Sequence, residues 1–472
     1  MKPYNRYILA IILLIIFLSS CRVGKRYSRP ELNIPQQYRE QPLSVTADTV
    51  LLPWKTFFKD ATLVGLIEKA LSTNNDVAGA VMNMQQVELS YKQARLGLLP
   101  TVDLNVSANR NWLSKNSLNG SLSEQYLGTR YMDDYSATLR LSWEADIWGK
   151  ARMQKEGALA TYFSQKENLS ALKTRIIVQV AQAYYNLIAL DEQLKVAKRN
   201  VELGDTTLGM IQLQYNSALV NSLAVEQAEA QKKTAELLVP MTLQTIAIQE
   251  NALSILCGSF PDSITRAKSL AAVMPDEVFP SGVPAALLSR RPDVKAMEYM
   301  IVSANARTGL AKAALYPTIS ITPSIGSNSY LFNTWFDLPG SLVKSVGVGL
   351  TQPIFQKRSL KAAYDIALID QQKASAQFRQ SVLTAVGEVS DALVRSKYAD
   401  ERIELVEKKK ASLTKATNDV MMLYKSAMAT YLEVITAQNN ALQNELEAIT
   451  IRRDKLNAIT DLYRALGGGV EN

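Results

Sequence analysis

From Ile147 to Val239 the chain contains no proline, and its apolar residues recur at helical spacing, as at Ile177, Val180, Ala181, Tyr184, Leu187 and Ile188. A helix running from Ile147 to Ala218 advances 71 positions, roughly 107 Å at the usual helical rise. The stretch from Arg358 to Ala427 is of similar length. No single globular core is that long, so such helices have to bury their apolar stripes against one another in a bundle or tube.

The two long stretches are copies. Ala94 to Ser107 (ARLGLLPTVDLNVS) and Ala311 to Ser324 (AKAALYPTISITPS) share a helix end, Pro, Thr and then alternation. Further along, Tyr215 to Ala228 (YNSALVNSLAVEQA) aligns with Tyr424 to Ala437 (YKSAMATYLEVITA), with six identities in fourteen positions. Two matches in the same order argue for a duplicated unit. Each copy reads as helix, strand, loop, strand and long helical hairpin. The organisation expected is an export signal at 1–20, a lipidated N-terminal linker at 21–53, a first repeat at 54–257, a linker at 258–283, a second repeat at 284–466 and a flexible C-terminus at 467–472.

The strands show period two. After Pro100, Val102, Leu104, Val106 and Ala108 alternate with Asp103, Asn105, Ser107 and Asn109, and the return strand sets Tyr135, Ala137, Leu139, Leu141 and Trp143 against polar neighbours. In the second copy Ile319, Ile321 and Ile325 alternate with polar residues, as do Val346, Val348 and Leu350 with Ser345, Gly347, Gly349 and Thr351. Pro323 is an irregularity, expected only at an edge or a bulge. A soluble sandwich would alternate in the same way. Strands long enough to cross a bilayer, with Trp112, Tyr126, Tyr131, Tyr330, Phe332 and Trp335 near their ends, point instead to an outer-membrane barrel. Four strands cannot close a barrel, whose smallest bacterial form has about eight, so the barrel has to be shared between protomers.

The N-terminus sets the compartment. Lys2 and Arg6 precede an apolar run from Ile8 to Leu18, followed by Ser19, Ser20 and Cys21, the order of an export signal. It is too short to span a bilayer. Leu18 to Cys21 (LSSC) resembles the lipobox of bacterial lipoproteins, which implies cleavage before Cys21 and acylation of it. The other cysteine, Cys257, has no partner for an internal disulfide and reads as a small buried hydrophobe. The chain has no histidine, which removes the commonest general base and the commonest transition-metal ligand. No nucleophile, metal cluster or phosphate loop stands out, so neither an enzyme nor a cofactor is expected. The net charge of +8 comes from 52 basic and 44 acidic residues spread along the chain, a pattern that argues against nucleic-acid binding. The run Glu407 to Lys410 (EKKK) reads as a solvated helix face.

Leu287 to Thr322 (LLSRRPDVKAMEYMIVSANARTGLAKAALYPTISIT) resembles the TolC-type outer-membrane factors, in particular the lipoprotein branch serving resistance-nodulation-division efflux systems. Pro292 sits near a helix start, Ala304, Ala306 and Ala311 permit close helix packing, and Pro317 ends the helix where a strand begins. Leu141 to Arg152, Leu350 to Ala363 and both YxSAxxxxLxVxxA elements match as well, and the likeness runs from about Trp54 to Leu466. It implies a mainly α fold with a β-barrel portion, in which a homotrimer pools four strands per protomer into one transmembrane barrel and its helices form a long α-helical barrel. The function it implies is that of a passive exit duct in the outer membrane that conducts small molecules. Its implied partners are outer-membrane lipid, a periplasmic adaptor protein and an inner-membrane pump. A protein-secretion duct has the same fold, and a non-conducting envelope scaffold is an alternative of another class.

The resemblance also assigns sites. Ser217, Ala218, Leu219, Ser426, Ala427 and Met428 would form the helix turns where the adaptor docks, and Glu433 with Thr436 would stand at the periplasmic gate. Taken alone, Glu433 reads as a solvated carboxylate on a helix face, and only the resemblance makes a gate role an equal reading. Two departures are visible. The family usually has glycine where Ala218 and Ala427 stand, so the turn conformation or exposure is expected to differ. A second gate acid is usual where this chain has Thr436.

Overall fold

The structure is a computed structural model and describes residues 23–38, 53–267, 269–273 and 286–468. The expected signal segment, Cys21 and parts of both expected linkers lie outside the described residues. Helices α1 (Trp54–Phe57), α2 (Ala61–Thr73) and α3 (Asn75–Leu96) lead into strand β1 (Thr101–Trp112). Helix α4 (Leu118–Leu127), strand β2 (Tyr131–Glu144) and the hairpin of α5 (Lys150–Asn216) and α6 (Ser222–Leu256) complete the first repeat. The second begins with α7 (Leu287–Arg290) and α8 (Pro292–Ala313) and continues through β3 (Thr318–Ser329), β4 (Leu342–Thr351), α9 (Ser359–Lys425) and α10 (Tyr431–Ala465). The duplication extends to element length. Helices α5 and α9 have 67 residues each, and α6 and α10 have 35 each.

The compact units do not follow the repeats. Of the described residues, one takes those up to Pro30 and those within Gln86–Phe163 and Tyr299–Ala376; the other takes those within Glu31–Gln85 and Ser164–Glu298 and those from Gln377 to Gly468. Each therefore mixes pieces of both copies.

The first unit holds one antiparallel sheet in the order β1-β2-β3-β4. Leu104 pairs with Leu139, and Val106 with Ala137, so the apolar residues of neighbouring strands share a face. That face is open: Val102, Leu104, Val106, Leu139, Ile325, Val346, Val348 and Leu350 are all exposed. Strands β1 and β4 are paired on one side only. Pro323 sits in β3, an inner strand, and not at an edge. The β2–β3 register keeps Arg140 opposite Ser324 and Trp143 opposite Ile321 but has no pair between these two, whereas Pro323 still pairs with Val346 on β4. A residue without an N–H leaves a gap on one side of the ladder, and no residue is inserted to form a bulge. Trp335, one of the aromatics near the strand ends, is not open like Trp112, Tyr330 and Phe332. It is buried in the β3–β4 connection, its ring 4.8 Å from that of Phe336 and 5.6 Å from that of Tyr135. Apolar residues past the opposite strand ends, Ile354 and Phe355, are exposed.

The second unit contains the main core. Trp54 and Phe57 from α1, Leu63 and Ile67 from α2, a run of α5 around Tyr184–Ile188, and Leu456, Ile459 and Tyr463 from α10 bury together. Phe57 stacks on Tyr463 at 4.1 Å. Cys257 is buried in this core, and burial pushes its thiol pKa up, as expected of a small hydrophobe. Gly258 (φ +64°) closes α6 in a position where a Cβ would come within 2.4 Å of the Thr73 carbonyl oxygen, so glycine is required by conformation and by space. The C-terminal end is more ordered at its start than expected. Gly467 and Gly468 donate to the carbonyls of Arg464 and Tyr463 and cap α10.

Candidate functional site

Each long hairpin turns through the same backbone motif. At the end of α5 the Leu219 amide donates to the Gln214 carbonyl and the Ala218 amide to Tyr215; at the end of α9 Met428 donates to Leu423 and Ala427 to Tyr424. These are paired Schellman caps, which require a left-handed residue. Ala218 has φ 54° and Ala427 φ 58°. The missing glycines therefore do not prevent a left-handed turn. They leave it strained, at about 1–2 kcal/mol for each left-handed alanine.

The helices that follow are capped by side chains. The Asn221 side chain accepts from the Ala224 amide. Thr430 and Glu433 form a reciprocal capping box, in which the Thr430 hydroxyl accepts from the Glu433 amide and Glu433 Oε2 accepts from the Thr430 amide at 2.6 Å. Hydrogen bonds from the Thr430 backbone and then from its hydroxyl hold the Glu433 carboxyl below its ordinary range. Thr436 is exposed and donates to Leu432 on its own helix. Ser217 donates to the Leu213 carbonyl, and the Ser426 amide donates to Met422 at the other turn. Leu219 and Met428, at 73% and 76% exposure, are uncovered apolar tips.

The two turns are brought together. Ile211, Ala224 and Ala228 of the first hairpin bury with Tyr424 and Val434 of the second. Polar groups bind across the same contact: the Tyr424 hydroxyl donates to Gln214 Oε1 at 2.5 Å, Tyr431 donates to Gln227, and Gln438 Nε2 donates to Thr207 Oγ1 at 2.9 Å. These groups are neutral. Among them only Tyr424 carried a sequence signal, as the tyrosine repeated from Tyr215. The glutamines had none.

Beyond the tips, the Arg-Pro-Asp stretch has a physical role. Pro292 is the first residue of α8. Arg291 is 3% exposed and bonds Asp293 at 2.5 Å, Glu388 at 2.7 Å and the Ala465 carbonyl at 3.2 Å. In the first unit, the chain just after the proposed anchor is fixed. The Val23 amide donates to the Trp148 carbonyl, and Asn305 Nδ2 donates to the Lys25 carbonyl at 2.9 Å.

A family profile described as "Outer membrane efflux protein" matches residues 66–259 and 283–468. The solvent efflux pump outer membrane protein SrpC of Pseudomonas putida is 29% identical over 467 residues, covering 96% of this chain and 97% of its own. The cation efflux system protein CusC of Escherichia coli is 27% identical over 459 residues, covering 96% and 97%. A crystal structure of CusC matches with a TM-score of 0.85 at 26% identity, covering 95% of this chain and 100% of that one. The open state of the Neisseria gonorrhoeae MtrE outer membrane channel matches at 0.84 and 26%, covering 95% and 98%. With the matched segments taking up most of its length and carrying both repeats, the chain belongs to the outer membrane efflux protein family, whose members are channels of the outer membrane that extend into the periplasm.

Proposed function

We propose that three copies of this chain form the exit duct of a tripartite efflux pump and conduct small molecules passively across the outer membrane. The observation that carries the reading is the open four-stranded sheet, with an exposed apolar face and two strands bonded on one side only. Lipid cannot satisfy unpaired backbone groups, so the edges have to be closed by other copies. Cys21 carries the lipid that anchors the chain. The tips of the hairpins, with Leu219 and Met428 uncovered, dock a periplasmic adaptor, and an inner-membrane pump of the resistance-nodulation-division type supplies the energy. Glu433 and Thr436 stand at the gate.

The test is assembly and conduction. Protein purified in detergent should be a trimer by light scattering and should form channels in planar bilayers; a water-soluble monomer or a silent trimer would sink the proposal, the latter in favour of an envelope scaffold. A protein-secretion duct shares the fold. The relatives described as efflux pump components favour solutes, and restored solute resistance without restored protein export in a complemented deletion strain separates the two.

A further inference from the structure

At the sheet end that bears the β1–β2 and β3–β4 connections there is a cavity of about 680 Å³, lined among others by Asn111, Asp134, Asn328, Tyr330, Asp337 and Ser341. Its size falls within the range of small-ligand sites, about 300–1,000 Å³. Its walls are held by their own bonds. Asn328 Nδ2 donates to Asp134 at 2.6 Å, the Asn328 amide donates to the Ser341 carbonyl at 2.8 Å, and the Ser341 amide donates to the Asp337 carbonyl at 3.0 Å. Other groups are left open. Among the described residues the Asp337 carboxylate, the Asn111 amide group and the Tyr330 hydroxyl have no side-chain hydrogen bond, and Tyr330 is 55% exposed.

The chemistry of that lining selects a ligand class. Separated carboxylate and amide groups beside an open aromatic ring suit a molecule with several hydroxyls and an apolar face. A metal ion fits less well, because among the described residues no three Asp, Glu, Cys or His side chains are grouped to hold one. Asp133, also in the lining, is neutralised by two bonds from Arg110 at 2.6 and 2.8 Å. Asp134 and Asp337 then leave the cavity negative, which repels acidic ligands.

We propose that this cavity binds a saccharide, neutral or amino-substituted, with Tyr330 against a sugar face and Asp337 and Asp134 accepting from its hydroxyl or ammonium groups. The proposal rests on the channel reading only in placing this end of the sheet at the cell exterior, where the sugars of membrane glycolipids or free saccharides are encountered.

The test uses the full-length protein in a detergent without a sugar headgroup, since a maltoside would itself compete. Saturation-transfer NMR should show glucose and glucosamine bound and glucuronate unbound. Asp337→Asn should weaken glucosamine binding about tenfold, the loss of one charge-assisted hydrogen bond, and Tyr330→Ala should abolish transfer to both sugars. No transfer from either sugar, equal transfer from glucuronate, indifference to both substitutions, or binding that depends on added calcium would each overturn the proposal. Competition by lipopolysaccharide in nanodiscs would assign the site to glycolipid sugars, and its absence to soluble ones. Bilayer conductance of the same variants should equal wild type. Sugar binding by a protein that never conducts would count against the channel and leave this site standing.

Discussion

Glycine in place of Ala427 removes the Cβ that makes its left-handed conformation cost about 1–2 kcal/mol. Part of that gain is returned through the extra freedom of glycine in the unfolded chain. The net expectation for Ala427→Gly is a turn more stable by roughly 0.5–1 kcal/mol, read as slower hydrogen exchange at the Met428 amide, which closes the cap onto Leu423. Exchange that is unchanged or faster would mean the strain is relieved elsewhere. Glu433 is pulled in two directions. In one chain its bonds to Thr430 favour the carboxylate, whereas three such groups around a closed gate would repel one another and favour the acid. Glu433→Gln separates charge from structure, because glutamine also serves at the third position of a capping box. Block of the channel by multivalent cation complexes should weaken in this variant while insertion stays normal; equal block would return Glu433 to an ordinary helix cap.

At the scale of elements, the sheet makes a sharp demand. Leu139 lies between Leu104 and Ile325 on the exposed apolar face, so Leu139→Arg should cost roughly 2–4 kcal/mol per site near the bilayer midplane. The readout is the fraction of trimer surviving heating in detergent, and a variant as resistant as wild type would refute this assignment of faces. Much of this was legible in the sequence because strand alternation and helix punctuation are local: Pro100 directly precedes β1, and Pro317 directly precedes β3. The place of Pro323 was not legible, since which strand is inner depends on pairing between distant segments. The bonds from Tyr424 to Gln214 and from Tyr431 to Gln227 join positions about two hundred residues apart, and periodicity within a helix does not say which faces of two hairpins meet. The tip alanines were visible as departures. Their left-handed geometry was not, because the turn is imposed by the hairpins on whatever residue occupies it.

At the scale of the whole chain, the Arg291 cluster draws together the start of α8, the middle of α9 and the end of α10 in the second unit. Removing one partner of a buried ion pair leaves the others desolvated and unpaired, a loss of about 3–5 kcal/mol when all are fully buried. Asp293 and Glu388 retain 46% and 31% side-chain exposure, and Glu388 keeps a second partner in Arg464 at 3.4 Å, which places Arg291→Ala at or below the lower end of that range. The acid response supplies a second readout. Burial pushes the Asp293 carboxyl up, yet the hydrogen bond and charge of Arg291 outweigh it, so the pKa in the folded chain lies below its ordinary value. A depressed carboxyl stabilises the folded state fully above its unfolded pKa of about 3.9. That contribution is lost as pH falls through the lower folded value. Wild type should therefore lose thermal stability between about pH 4 and the onset of general acid unfolding, and Arg291→Ala, which starts lower, should lose less over the same interval. Parallel melting-temperature profiles for the two proteins would show that the pairing of Arg291 with Asp293 contributes nothing to the fold.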